Sequence, residues 1–121
     1  MILVDTSVWI DHLREGEPEL EVLLHESRVL VHAFVIGELA CGNLRNRSEI
    51  LRLLGDLPHA TRATDEEVLA CIEARELMGR GIGYADAHLL ASGLLTPGTR
   101  LWTRDRRLHC AAADLGIASG A

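Results

Sequence analysis

The opening of the chain constrains the fold more than any other stretch. Ile2, Leu3 and Val4 form a wholly apolar run, and Asp5-Thr6-Ser7 follows with no loop between. Such a run reads as a strand buried on both faces, as in the middle of a parallel sheet. Asp, Thr and Ser are residues that cap helices. After them Val8, Trp9, Ile10 and Leu13 recur as the inner face of a helix. A strand that passes directly into a helix leaves Asp5 at the carboxyl end of the sheet, where open α/β folds hold their ligands.

The remaining chain keeps alternating between strand and helix signals. Pro18 fits the first turn of a second helix carrying Leu20, Leu23 and Leu24. Val29-Leu30-Val31 is a second short strand. Ala33 to Cys41 reads as a helix with Phe34, Val35 or Ile36, and Leu39 inward, ended by Gly42-Asn43. Another helix runs from about Ser48, its cap, to Leu54, and His59 to Thr64 has room for a short strand. Thr64-Asp65-Glu66-Glu67 has the form of a capping box. It opens a helix carrying Val68, Leu69, Ile72, Leu77 and Met78.

Gly79 to Gly83 is a glycine-rich loop, and Tyr84 to Leu95 is helical with Asp86 in its first turn. Thr96 to Thr99 is a turn. Leu101 to Thr103 is a strand, Asp105 to Leu115 the last helix, and Gly116 to Ala121 carries little pattern. This order predicts an α/β/α sandwich, a central and mainly parallel sheet flanked by helices. One domain spans residues 1–121, since 121 residues suffice for one ordinary core.

Composition narrows the function. Only 3% of the residues are aromatic, so a 48% hydrophobic chain must build its core from Leu, Val, Ile and Ala. No apolar run approaches the ~20 residues of a membrane helix. Asp5 precedes any basic residue, so the N-terminus does not read as a secretory signal. Cys41, Cys71 and Cys110 are widely spaced, which suits a reduced, cytoplasmic protein.

The net charge of −6 argues at first against a nucleic-acid partner. Two divalent cations in one acidic site would add four positive charges and leave −2. Every basic charge is arginine, with no lysine anywhere in the sequence. Arginine forks match phosphate well. The missing lysine also excludes a P-loop enzyme, and it argues against receiver-type signalling modules and haloacid-dehalogenase-type phosphatases, whose acidic pockets pair with a lysine.

Four acids stand out by context: Asp5 after the first strand, Glu38 inside an apolar helix, Asp86 opening a helix, and Asp105 after the last strand. Asp5 and Asp105 also fit as helix caps, and Asp86 also fits as a partner of the helix dipole. A mid-helix Glu38 is costly if buried alone. Each lies at or near a place where the chain leaves a strand or enters a helix, which allows all four to converge at one edge of the sheet. Carboxylates crowded there repel one another, and hard cations such as Mg²⁺ or Mn²⁺ remove that cost. Two such ions, ~3.5–4 Å apart, clamp the attacking and leaving oxygens of a phosphodiester.

Val4-Asp5-Thr6-Ser7-Val8-Trp9-Ile10-Asp11 resembles the opening motif of PIN-domain ribonucleases, in particular VapC-type toxins of toxin–antitoxin pairs. Glu38-Leu39-Ala40-Cys41-Gly42, Tyr84-Ala85-Asp86-Ala87-His88 and Leu101-Trp102-Thr103-Arg104-Asp105 resemble the later motifs, in the same order. The resemblance implies a metal-binding and catalytic quartet of Asp5, Glu38, Asp86 and Asp105. It makes Thr6, Ser7 and Thr103 polar neighbours, with Thr103 the one to hold a ligand or water. It further implies Mg²⁺- or Mn²⁺-dependent cleavage of structured RNA such as transfer or ribosomal RNA, inhibition by a VapB-type antitoxin, and a homodimer. Arg104, Arg106 and Arg107 beside Asp105 are either contacts for RNA phosphates or a solvated helix face, and Arg80 in the glycine-rich loop is a further candidate of the same kind. The alternative is a catalytically silent PIN module that only binds partners. Trp9 and Trp102 are expected in the core, Asp11 on the surface, and the six histidines as surface or satisfied core residues.

Overall fold

Parallel strands around Ile2–Val4 organise the molecule. In the computed structural model, which describes residues 1–120, Ile2–Val4 (β1) lies between Val29–Leu30 (β2) and Arg100–Trp102 (β3), parallel to both. Leu3 and Val4 are fully buried, as an apolar run covered on both faces requires. Seven helices of the described residues clothe this sheet: α1 (Thr6–Glu15), α2 (Pro18–His25), α3 (Ala33–Ala40), α4 (Arg47–Asp56), α5 (Asp65–Ala74), α6 (Tyr84–Leu95) and α7 (Arg106–Asp114). The architecture is the expected α/β sandwich. None of its helices is long and apolar enough to cross a membrane.

Local signals place several elements well. The Thr64 hydroxyl accepts the Glu67 N–H and the Glu67 carboxylate accepts the Thr64 N–H, so the capping box is closed. Pro18 stands at the start of α2, and α6 has the expected bounds. Trp9 and Trp102 are buried in the core with Val8, Leu89, Leu90 and Leu108.

Other expectations need correction. The helix expected from Ser48 begins at Arg47, because Asn46 takes the left-handed conformation (φ 52°) and turns the chain before Ser48 is reached. His59 to Thr64 forms no strand, only a single parallel bridge from Val31 to His59. Pro58 offers no N–H to a ladder, and Ala60 and Ala63 turn inward instead. Leu77 and Met78 lie beyond α5. Glu76 adopts φ 53°, and the Leu77 N–H returns to the Ile72 carbonyl at 3.0 Å, a Schellman ending that puts Leu77 in the core and leaves Met78 exposed. Ile10, Leu53 and Leu69 are exposed rather than inward.

The C-terminal tail is more structured than its pattern suggests. The Leu101 N–H reaches Ile117 O at 2.7 Å, and the Ser119 N–H reaches Leu101 O at 2.9 Å, so the tail pairs with β3. Ala121, the last residue of the tail, lies outside the described residues.

Candidate active site

The site is built at the carboxyl ends of β1 and β3. The Asp5 N–H donates to Trp102 O at 2.9 Å, which continues the pairing one residue past each strand and brings Asp5 beside Thr103. The Thr103 hydroxyl donates to Asp5 Oδ2 at 2.7 Å, and the Ser7 hydroxyl donates to the same oxygen at 3.1 Å. Both hydroxyls are themselves held. Ser7 Oγ accepts the Arg104 N–H and Thr103 Oγ1 accepts the Asp105 N–H, each at 3.0 Å. Asp5 occupies the N-cap position of α1 yet makes no side-chain cap bond, so its carboxylate is not there to close the helix. It is only 7% exposed. Thr103 directs its proton to Asp5, so its first role is to orient that carboxylate.

The other three acids arrive on helices. Thr6 Oγ1 donates to Glu38 Oε1 at 2.8 Å, which ties α1 to α3. Glu38 is exposed, so the expected cost of burying it does not arise. Asp86 Oδ2 accepts the Gly83 N–H at 3.1 Å, as an acid in the first turn of α6 can. Asp105 caps α7, its Oδ1 accepting the Arg107 and Leu108 N–H groups at 2.9 and 3.1 Å. The two roles foreseen for Asp105 are therefore compatible. In all four acids the protein's hydrogen bonds fall on one carboxylate oxygen.

Asp86 lies within electrostatic reach of the other three acids. Burial pushes the Asp86 carboxyl up from its ordinary value, and the negative charges of Asp5, Asp105 and Glu38 push the same way, against the Gly83 N–H. Among the described residues no three carboxylate, imidazole or thiol side chains are gathered closely enough to surround an ion as they stand. An all-oxygen donor set with one oxygen of each acid turned away from the protein's own bonds fits Mg²⁺ or Mn²⁺.

The arginines are placed differently. Arg104 is held by Asp11 at 2.8 Å and Glu17 at 2.5 Å, with its guanidinium against the Trp102 ring. Arg80 pairs with Asp114 at 2.7 Å. Arg107 crosses Gly81, where a Cβ would stand 2.6 Å from its Nη1; the flexible guanidinium can swing aside, so it is the φ of +78° that calls for glycine here. Arg106 is exposed at the start of α7.

A groove of about 720 Å³ opens beside Glu38, lined by Ile10, Leu13 and Arg14 of α1 and by Leu39, Leu44 and Ile50. It accounts for the exposure of Ile10. Two features go beyond the sequence reading. His32 and His88 are each only 1% exposed; His32 is a satisfied core histidine bonded to Ser92, whereas His88 reaches the exposed Asp65 through Nε2 and leaves its Nδ1 without a partner among the described residues. Asp11 and Glu17, from two sides of a turn, converge on Arg104. No spacing rule marks either.

Comparison with known proteins shows the family. The model of the PIN domain matches residues 2–114. Over 118 residues the chain is 48% identical to proteins named Ribonuclease VapC32 from two Mycobacterium tuberculosis strains, CDC 1551 / Oshkosh and ATCC 25618 / H37Rv. The match takes in 98% of this chain and 95% of each relative. The chain is a PIN domain of the VapC family. Within this PIN domain, β1 and β3 supply Asp5 and the Thr103–Asp105 corner, while α3 and α6 bring Glu38 and Asp86 to them.

Proposed function

We propose that this VapC-family PIN domain is a Mg²⁺- or Mn²⁺-dependent endoribonuclease, the toxin of a toxin–antitoxin pair. One observation carries the reading: Asp86, whose carboxyl burial holds above its ordinary value, is pushed the same way by the charges of Asp5, Asp105 and Glu38, acids from three other places in the chain. A structural role gives no reason to gather four negative charges there. A divalent cation does.

Asp5, Glu38, Asp86 and Asp105 would hold the metal. When bound, it activates water and stabilises charge on the leaving oxygen of a phosphodiester. The protein's own part is orientation. Thr103 and Ser7 fix Asp5, Thr6 fixes Glu38, the Gly83 N–H fixes Asp86, and the first turn of α7 fixes Asp105. Each carboxylate is thereby set before substrate arrives, which spares reorganisation during the reaction. Arg106 and Arg107 extend from the same corner toward RNA phosphates, whereas Arg80 is tied to Asp114 at the far end of α7 and joins only once that pair opens. Arg104 joins them once it leaves Asp11 and Glu17.

The substrate is structured RNA, of the transfer or ribosomal class, and the site works in the cytoplasm. A VapB-type antitoxin inhibits by laying an apolar segment in the groove beside Glu38, where Ile10 is exposed and Leu13 partly so. The toxin is a homodimer, with exposed Val22, Leu53, Leu69 and Leu95 available for contacts between copies.

The test is incubation with total bacterial RNA and Mg²⁺ or Mn²⁺, with new 5′ ends mapped. Cleavage should vanish in EDTA and in both Asp5→Asn and Asp86→Asn. Cleavage that survives EDTA, or survives in both variants, rules out the metal quartet. RNA binding without any EDTA-sensitive cleavage would instead identify a silent PIN module.

A further inference from the structure

His32 makes two hydrogen bonds with one ring. It stands at the N-cap of α3, and its Nδ1 accepts the Phe34 N–H at 3.0 Å. A ring nitrogen that accepts carries no proton, so in the neutral imidazole the proton is on Nε2. Nε2 faces Ser92 Oγ on α6 at 3.0 Å, and His32 is therefore the donor of that bond. Ser92 Oγ also receives the Ala63 N–H at 3.3 Å. The start of α3, the middle of α6 and the stretch leading into α5 are thus joined inside the core.

The two helices joined in this way are those that carry Glu38 and Asp86. We propose that His32 is a positioning residue, setting the Glu38 helix against the Asp86 helix through its bond to Ser92. The inference rests on the metal-nuclease reading above. A serine or asparagine would cap α3 as well or better. Neither spans the gap to α6 while capping, because that takes two polar atoms on opposite sides of a rigid ring. Burial, followed by the charges of His88, Arg62 and His59, lowers the His32 pKa to about 4. The ring stays neutral near pH 7, and both bonds persist.

Asparagine and glutamine separate the two roles. Asn reproduces the Nδ1 side and keeps the cap, whereas Gln reaches about as far as Nε2 and keeps the bridge. Mn²⁺ binding to the intact protein, measured by calorimetry, is read beside kcat at saturating Mn²⁺ and Tm. His32→Asn should bind Mn²⁺ about tenfold more weakly, the scale seen when groups that orient metal ligands are lost, with kcat reduced in parallel. His32→Gln should bind as the wild type does.

Ser92→Ala leaves the cap of α3 untouched. It should reproduce the His32→Asn loss, and the double variant should be no worse than either single one. Wild-type Mn²⁺ binding in both His32→Asn and Ser92→Ala would overturn the proposal. So would affinities that follow capping strength, with Asn above Gln. If His32→Asn fails to fold, Ser92→Ala decides. Failure of the wild type itself to bind Mn²⁺ would show that the nuclease reading had fallen first, taking this inference with it.

Discussion

The two halves of the acidic site are held in unlike ways. Asp5 is buried and receives hydroxyl protons from Thr103 and Ser7, which are pinned in turn by the backbone of Arg104 and Asp105. Glu38 is exposed, sits on a helix, and receives a single hydroxyl proton from Thr6. Asp86 stands between them, half-buried with one backbone N–H donor, and Asp105 is exposed like Glu38. A buried carboxylate held by two donors keeps its place with or without metal. An exposed one held by one donor can still move to meet an ion or substrate. The difference predicts that the Asp5 side fixes where the metal sits and the Glu38 side adjusts.

The largest expected effect breaks the fixed half or the acid between the halves. Asp5→Asn or Asp86→Asn should reduce cleavage by at least about 1,000-fold, on the order of 4 kcal/mol of transition-state stabilisation. Metal-free Asp86→Asn should meanwhile be more stable than wild type at pH 7. The sign follows from the raised pKa of Asp86. A carboxyl whose folded value lies above its unfolded one stabilises the fold below the unfolded value and loses that contribution as pH rises through the folded value. Wild-type stability in EDTA should therefore fall across this window, and added Mn²⁺ should restore it. Thermal melts with and without Mn²⁺ read both effects. A metal-free variant less stable than wild type would mean the four charges are not in conflict.

His32 joins the Glu38 helix to the Asp86 helix and titrates with the opposite sense. Its pKa is lowered from 6.5 to about 4, so its contribution is complete above about pH 6.5 and is lost as pH falls toward 4. The size is on the order of 3 kcal/mol. Urea unfolding should show wild type losing that much between pH 7 and pH 4 relative to His32→Gln, which has no imidazole to protonate. Parallel acid limbs in the two proteins would remove His32 from the account.

A smaller effect compares the orienting hydroxyls directly. Thr103→Val takes away the shorter of the two bonds to a buried carboxylate and should lower kcat about tenfold. Thr6→Val takes the one hydroxyl bond of an exposed carboxylate and should lower it about twofold, since water replaces the lost donor. Equal losses would erase the distinction between a fixed and an adjustable half. Metal titrations of both variants, followed by rate, are sufficient.

The fixed half is also the half that sequence describes best. Ile2-Leu3-Val4 needs no tertiary information to be read as a covered strand, and Asp5 follows from where that strand ends. Thr64 to Glu67 and the bounds of α6 are equally local, because caps and helix periodicity are written within a few residues of where they act. What escapes has a distant partner or an unusual residue in its place. His32 meets Ser92 60 residues away, and Arg104 meets Glu17 87 residues away. The tail pairs with Leu101 without any strand pattern of its own. Glu76 and Asn46 take left-handed conformations where glycine is the usual sign, so the end of α5 and the start of α4 are misplaced from sequence alone.

Asp105 gives the finest test of the comparison, because it does two things that Asp5 does not combine. Its Oδ1 caps α7 with two backbone bonds, whereas Asp5, also at an N-cap, makes none. Asn caps helices about as well as Asp, and replacing a cap by Ala costs about 1 kcal/mol. Asp105→Asn should therefore leave stability within about 0.5 kcal/mol of wild type, the range of a neutral surface change, while cutting cleavage. Asp105→Ala should lose the same activity and about 1 kcal/mol of stability besides. At Asp5 no such split exists, and Ala and Asn should differ only through the hydroxyls of Thr103 and Ser7 left facing them. Denaturant melts of the four variants, set beside their cleavage rates, separate an acid that also builds its helix from one whose carboxylate serves the site alone.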